Sequence, residues 1–189
     1  MKKMEMFKKL VVDREDTIAI MIDMQEKLLP VMQNAKKIEE TAIKLTKGLK
    51  LLEIPILVTQ QYTKGIGETK AEIAEVLGEF TPIEKDTFSA MKTDEFVAEL
   101  EVYDQTTAVV FGIEAHICLV QTVMDLLKNG YDVFVVADAC SSRSQMDYET
   151  SLRRMAQAGA FITTYESVLY ELMETSNDPE FKKISKIVK

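Results

Sequence analysis

The sequence predicts a three-layer α/β/α domain built around a six-stranded parallel sheet. Three observations predict it. Apolar runs rich in β-branched residues alternate with stretches of helical period, those runs are apolar on both faces, and no repeat, low-complexity tract or linker divides the 189 residues. A strand buried on both faces needs helices on either side, and right-handed crossovers put them there.

The elements follow in order. "TIAIMID" reads as a central strand, apolar without interruption from Ile18 to Ile22. "NAKKIEETAIKLTKGLKLLE" places Ala35, Ile38, Ala42, Leu45, Leu49 and Leu52 at helical spacing, with Lys and Glu between them. Pro55 opens the second strand, "PILVTQ", where a proline removes no central ladder bond. From Gln61 to Pro82 the pattern is least regular. Gly65 and Gly67 break its periodicity, "AEIAEVL" supplies one short helix, and a connection of this length is a place for function. A short "PIEK" strand, a helix through "TDEFVAELE" and the strand "TTAVVFGI" come next. "CLVQTVMDLLKNG" is a helix closing at Asn129 and Gly130, where glycine tolerates the left-handed C′ conformation. "YDVFVVAD" is a fifth strand, "QMDYETSLRRMAQAGA" a helix, and "FITTYES" the last strand before the C-terminal helices. Six such strands in one sheet make a Rossmann-like arrangement, and residues 1–189 are expected to form one domain.

Charge and composition narrow the function. A formal net charge of −8 and a pI near 4.9 repel phosphate backbones, and no Lys/Arg cluster offsets this, so no nucleic-acid partner is expected. The N-terminal "MKKMEMFKKLVVDRED" is too broken for a signal-peptide core, and no apolar run approaches transmembrane length. The expectation is a cytoplasmic protein with no membrane partner. Cys118 and Cys140 read as reduced thiols. His116 is the single histidine, too little for a catalytic zinc site, so neither metal nor cofactor is expected. Met24 and Gln25 follow the first strand where a phosphate-binding loop needs glycines, which argues against nucleotide binding.

Ligands of open α/β sheets bind beyond the carboxyl ends of the strands. Three polar residues stand there: Asp23 after the first strand, Lys85 after "PIE", and Cys118 beyond "AVVFGI" across Glu114-Ala115-His116-Ile117. Each alone has an ordinary reading, as a cap, a surface charge or a small core residue. Together they predict a shared rim. His116 lies on the same turn as Cys118 and ranks below Asp23 as a general base.

The motifs carrying these residues resemble the isochorismatase-like cysteine hydrolases over nearly the whole chain. "TIAIMIDMQ" resembles the family's first strand with its aspartate, "IEKDTFSA" the lysine segment, and "VVFGIEAHICLVQTV" the nucleophile turn. "GIEAHICLVQT", "LLKNGYDVFVVADACSSR" and "AQAGAFITTYESVLYELM" further resemble the subgroup called isochorismatase domain-containing proteins. The resemblance implies a triad of Asp23, Lys85 and Cys118. It also implies a non-proline cis peptide between Ile113 and Glu114, which would aim the N–H groups of Glu114 and Cys118 at a substrate oxyanion.

In the expected mechanism Cys118 begins a helix whose N-terminal dipole favours the thiolate, Asp23 takes the thiol proton, and Lys85 orients the carboxylate. A thiol activated this way should alkylate with an acidic midpoint, well ahead of Cys140. Nicotinamidases of the superfamily carry a metal-binding aspartate and histidines after the second strand, whereas this chain reads "VTQQYTKGIGE" there, with no histidine. The pocket is then expected to be lined by Gln25, Gln60, Gln61 and Tyr62, with Phe88 as an apolar wall or a core residue. The chemistry implied is metal-independent hydrolysis of a C–N bond in a small amide, imide or ureido compound through a thioester. The alternative is a non-catalytic oligomeric assembly or interaction protein that retains the fold. A homo-oligomer is expected either way, with "SVLYELMET" as a candidate interface or core helix.

Overall fold

The computed structural model describes residues 10–189. The start of the "MKKMEMFKKLVVDRED" segment lies outside the described residues. Strands β1 (Thr17–Ile22), β2 (Ile56–Gln61), β3 (Ile83–Lys85), β4 (Thr107–Gly112), β5 (Asp132–Cys140) and β6 (Phe161–Thr163) form a single parallel sheet in the order β3-β2-β1-β4-β5-β6. The predicted α/β fold with a six-stranded parallel sheet is what the chain adopts.

Helices α1 (Ala35–Leu51), α2 (Thr63–Ile66), α3 (Ala71–Leu77), α4 (Asp94–Leu100), α5 (Val120–Lys128), α6 (Gln145–Gln157), α7 (Tyr165–Met173) and α8 (Phe181–Val188) make the connections and the C-terminal segment. Every residue of β1 and β4 is buried, the pattern of strands covered on both faces. Each large apolar side chain so removed from water contributes about 1.5–3 kcal/mol. On α1 the predicted stripe is buried from Ile38 through Ala42 and Leu45 to Leu49, with Ala35 half-buried, and Gly48 joins it because Leu169 of α7 occupies the space a β-carbon would need.

Three local differences have clear causes. Strand β6 stops at Thr163, and "TYES" turns into α7, because the Asp138 carboxylate accepts the Tyr165 N–H at 2.9 Å and so caps that helix from the end of β5. The 61–82 connection carries α2 as well as α3, tied down by a bridge between Gln25 and Thr69. Cys118 does not begin a regular helix. It lies in a π-type turn, Ala115–Leu119, which leads into α5.

Two features bring the strand ends together. The strand order reverses between β1 and β4, the place where open sheets leave a crevice. Gly112 ends β4 at φ +127° opposite Ile22, and a β-carbon there would collide with the Ile22 carbonyl oxygen. The backbone following β4 therefore lies directly against the end of β1.

Candidate active site

Asp23 is the first residue past β1, at φ +51°, and Lys85 is the last of β3. They lie two strands apart in the sheet, a span of about 10 Å that a lysine side chain can cross. Lys85 Nζ donates to Asp23 Oδ2 at 2.7 Å, and neither side chain has solvent exposure. A buried pair of this kind is held only when its remaining valences are met. They are met here. Thr59 Oγ1 donates to Asp23 Oδ1 at 2.6 Å, and the ammonium also reaches Gln61 Oε1 at 2.7 Å and the carbonyls of Thr87 and Phe88 at 3.3 and 3.4 Å.

The Cys118 thiol is buried and faces this pair, near enough for both of its charges to act on the sulfur. Burial first, and then the facing Asp23 carboxylate, push the thiol up to about 12, while Lys85 pulls in the opposite direction. Burial and the facing carboxylate thus outweigh Lys85 and favour the neutral thiol, against the expectation of an acidic midpoint. Cys140 is also pushed up to about 12, by burial. It lies at the end of β5, in register with Gly112.

The Ile113–Glu114 peptide is cis. The turn that follows is fixed from the end of β5. Ala115 N–H donates to the Ser141 carbonyl at 2.7 Å, His116 Nδ1 lies 2.9 Å from Ser142 Oγ, and Arg143 Nε donates to Glu114 Oε2 at 2.8 Å. The other imidazole nitrogen of His116 is 4.0 Å from Asp147. The ring is thus engaged by Ser142 and the start of α6.

The glutamines divide by side-chain direction. Gln61 orients Lys85, as a pocket residue would, and its Nε2 donates to the Asp86 carbonyl at 3.1 Å. Gln25 and Gln60, expected at the pocket, are instead buried with their amides spent on partners within the protein. Gln25 is fully buried, with Nε2 donating to the Gln61 and Gly67 carbonyls at 2.9 and 2.6 Å and Oε1 accepting the Gln61 N–H at 2.7 Å. It is a tie between strand ends. Gln60 points away from Asp23, since strand side chains alternate, and is spent on Thr69 and Thr63. Tyr62 borders a cavity of about 500 Å³ together with Lys85, Asp86, Lys92 and Asp94. Phe88 is 54% exposed, so it is no core residue, and it stands on the loop whose carbonyls hold the ammonium. The candidate interface helix, α7, spends Val168, Leu169, Leu172 and Met173 in the core of its own chain.

Thr59, Ser141, Ser142 and Arg143 were not foreseen as site residues. Nothing local marks Thr59; only the β1–β2 register, pairing it with Ile22, places it beside Asp23. Among the described residues, no group of three or more His, Cys, Asp or Glu side chains is placed to hold a metal ion, and no helix is long and apolar enough to cross a membrane.

The isochorismatase domain profile matches residues 17–167. Isochorismatase domain-containing protein 2 of Xenopus laevis is 42% identical over 174 residues, covering 91% of this chain and 83% of its own. The structure of MAR1 ribonuclease from Caenorhabditis elegans is similar with a TM-score of 0.88 at 36% identity, covering 94% of this chain and 92% of that one. An octameric hydrolase of unknown specificity from Escherichia coli, YcaC, shares the fold with a TM-score of 0.89 at 21% identity, covering 94% and 89%. With its profile match running from the first residue of β1 into α7, the chain belongs to the isochorismatase domain family, the isochorismatase-like hydrolases.

Proposed function

We propose that this protein is a metal-independent cysteine hydrolase that cleaves a C–N bond of a small amide, imide or ureido compound through a thioester on Cys118. The observation that carries this reading is the buried Asp23–Lys85 pair, both of whose charges act on the buried Cys118 thiol. A carboxylate held by two donors and set against a thiol is a base positioned for that proton.

As the substrate carbonyl approaches, the thiol proton passes to Asp23 while sulfur bonds to the carbonyl carbon and its π electrons move to oxygen. Glu114 and Cys118 supply the N–H groups for that oxyanion; the residues flanking Glu114, Ile113 and Ala115, already donate to the Ile22 and Ser141 carbonyls at 2.9 and 2.7 Å. Collapse expels the nitrogen, which takes the proton from Asp23. Water then attacks the thioester, giving its proton to Asp23, and the carboxylic acid leaves as the proton returns to sulfur. Because the resting thiol is neutral, proton transfer accompanies attack rather than preceding it. Lys85 keeps Asp23 in place throughout. The donor set supports chemistry without a metal or cofactor, since the one imidazole is held by Ser142 and the carboxylate by Lys85 and Thr59.

The same reading takes the chain as one domain acting in the cytoplasm as a homo-oligomer, with a small molecule rather than nucleic acid or membrane as partner. Its free buried cysteines suit a reducing compartment, and its net charge of −8 disfavours polyanions. The ribonuclease name belongs to the worm protein. The test is a panel of small amides, imides and ureido compounds incubated with the full chain and followed by intact mass. A thioester on Cys118, absent from Cys118→Ala, is the expected result. Full turnover by Cys118→Ala on the same compound would overturn the proposal.

A further inference from the structure

The loop after β3 does two things. The carbonyls of Thr87 and Phe88 receive the Lys85 ammonium at 3.3 and 3.4 Å, and the next two residues reach across to α5, the helix that continues from the Cys118 turn. Ser89 Oγ donates to Asp125 Oδ2 at 2.8 Å, and the Ala90 N–H donates to Thr122 Oγ1 at 3.0 Å. That same hydroxyl donates to the Cys118 carbonyl at 2.8 Å. Ser89, Ala90 and Thr122 are wholly buried, so the two bonds of the Thr122 hydroxyl have no competing water, while Asp125 is partly exposed. Within the loop, Thr87 Oγ1 donates to the Ser89 carbonyl at 2.8 Å and lies 2.9 Å from Thr93 Oγ1.

We infer that Thr122 is a positioning residue, the hub of a clamp that uses the Ala90 and Ser89–Asp125 bonds to set the Lys85 ammonium against the Cys118 thiol. The inference rests on the reading of Cys118 as nucleophile. One hydroxyl joins the backbone of the nucleophile's own residue to the loop carrying the ammonium's acceptors. A slip in either bond therefore changes the distance between cation and sulfur. Thr122 itself touches neither group's reacting atoms. The charged groups facing the thiol are Asp23 from β1 and Lys85 from β3; His116, on the thiol's own turn, is bonded to Ser142 instead.

The experiment follows the rate of Cys118 alkylation by iodoacetamide between about pH 7 and 9 in the full chain, where the rate is proportional to the thiolate fraction and so reads any shift of the midpoint, using peptide mass to separate it from Cys140. Lys85 favours the thiolate, so loosening the clamp raises the midpoint. Thr122→Val is expected to raise it by about one pH unit, slowing alkylation about tenfold at pH 8, and Thr122→Ser to restore it. Ser89→Ala, which leaves the Ala90–Thr122 bond in place, should move the midpoint in the same direction by less, and it decides the matter if Thr122→Val does not fold. Once a substrate is in hand, the same variants should lose kcat with KM little changed. Folded Thr122→Val and Ser89→Ala proteins with wild-type midpoints would overturn the clamp. Asp23→Asn keeps the two readings apart. If it shifts the midpoint and the clamp variants do not, the clamp alone is wrong; if it too shifts nothing, the triad reading fails first.

Discussion

Lys85 Nζ and Asp23 Oδ2 meet at 2.7 Å with neither side chain exposed, and the carboxylate they share with Thr59 is the one that faces the Cys118 thiol. A carboxylate paired in this way is fixed in place, and its charge opposes ionisation of the thiol.

The first prediction follows from that charge. Asp23 disfavours the thiolate, so Asp23→Asn removes a negative charge, leaves the Lys85 cation, and lowers the Cys118 midpoint by about 1–3 pH units. Iodoacetamide should then label Cys118 faster at neutral pH while turnover is lost. A more reactive thiol in a dead enzyme would separate acidity from catalysis; an unchanged pH profile would show that Asp23 does not act on the sulfur.

Breaking the pair should be costlier than deleting it. Lys85→Met strands a buried carboxylate and is expected to destabilise by about 3–5 kcal/mol, whereas the Asp23→Asn/Lys85→Met double variant should recover much of that loss. Urea denaturation of the two variants measures the difference. A double variant no more stable than the single would contradict the pairing.

Gly112→Ala should be poorly tolerated. Its β-carbon meets the Ile22 carbonyl oxygen at a φ of +127°, in the two central strands where neither backbone can retreat. A loss of at least about 3 kcal/mol, or failure to fold, is expected in thermal melts.

Alkaline solution should weaken the fold through its thiols. Burial pushes Cys140 up to about 12, above its unfolded value near 8.5–9. A raised pKa contributes stability that is complete below the unfolded value and is lost as pH rises toward the folded one, at up to about 1.4 kcal/mol per pH unit. Stability measured between pH 8 and 10.5 should fall, less steeply in Cys140→Ala than in the parent.

RNA should survive exposure to the purified chain. The net charge of −8 opposes approach of a phosphate backbone, so a fluorescently labelled single strand is expected to remain intact at low salt, where electrostatics act most strongly. Cleavage that disappears in Cys118→Ala would overturn the small-molecule assignment.

Much of this was legible in the residues themselves. Uninterrupted apolar runs such as Ile18–Ile22 leave no polar face, so the chain had to form a sheet covered on both sides, and the alternation with helical stripes made it parallel. Asp23, Lys85 and Cys118 were placed on one rim by the rule that strand ends converge, and the family resemblance gave them roles. What the sequence could not contain was direction and distance. Gln25, Gln60 and Gln61 look alike in one dimension, yet only Gln61 reaches the ammonium, because strand alternation and the β1–β2 register send the other two elsewhere. Thr59, Thr122 and Ser89 acquire their partners across 36, 32 and 36 residues of chain, contacts that exist only once the sheet order and helix packing are set. The thiol's protonation was decided there too: the sequence supplies a cysteine and an aspartate, but burial and their separation determine which of them holds the proton.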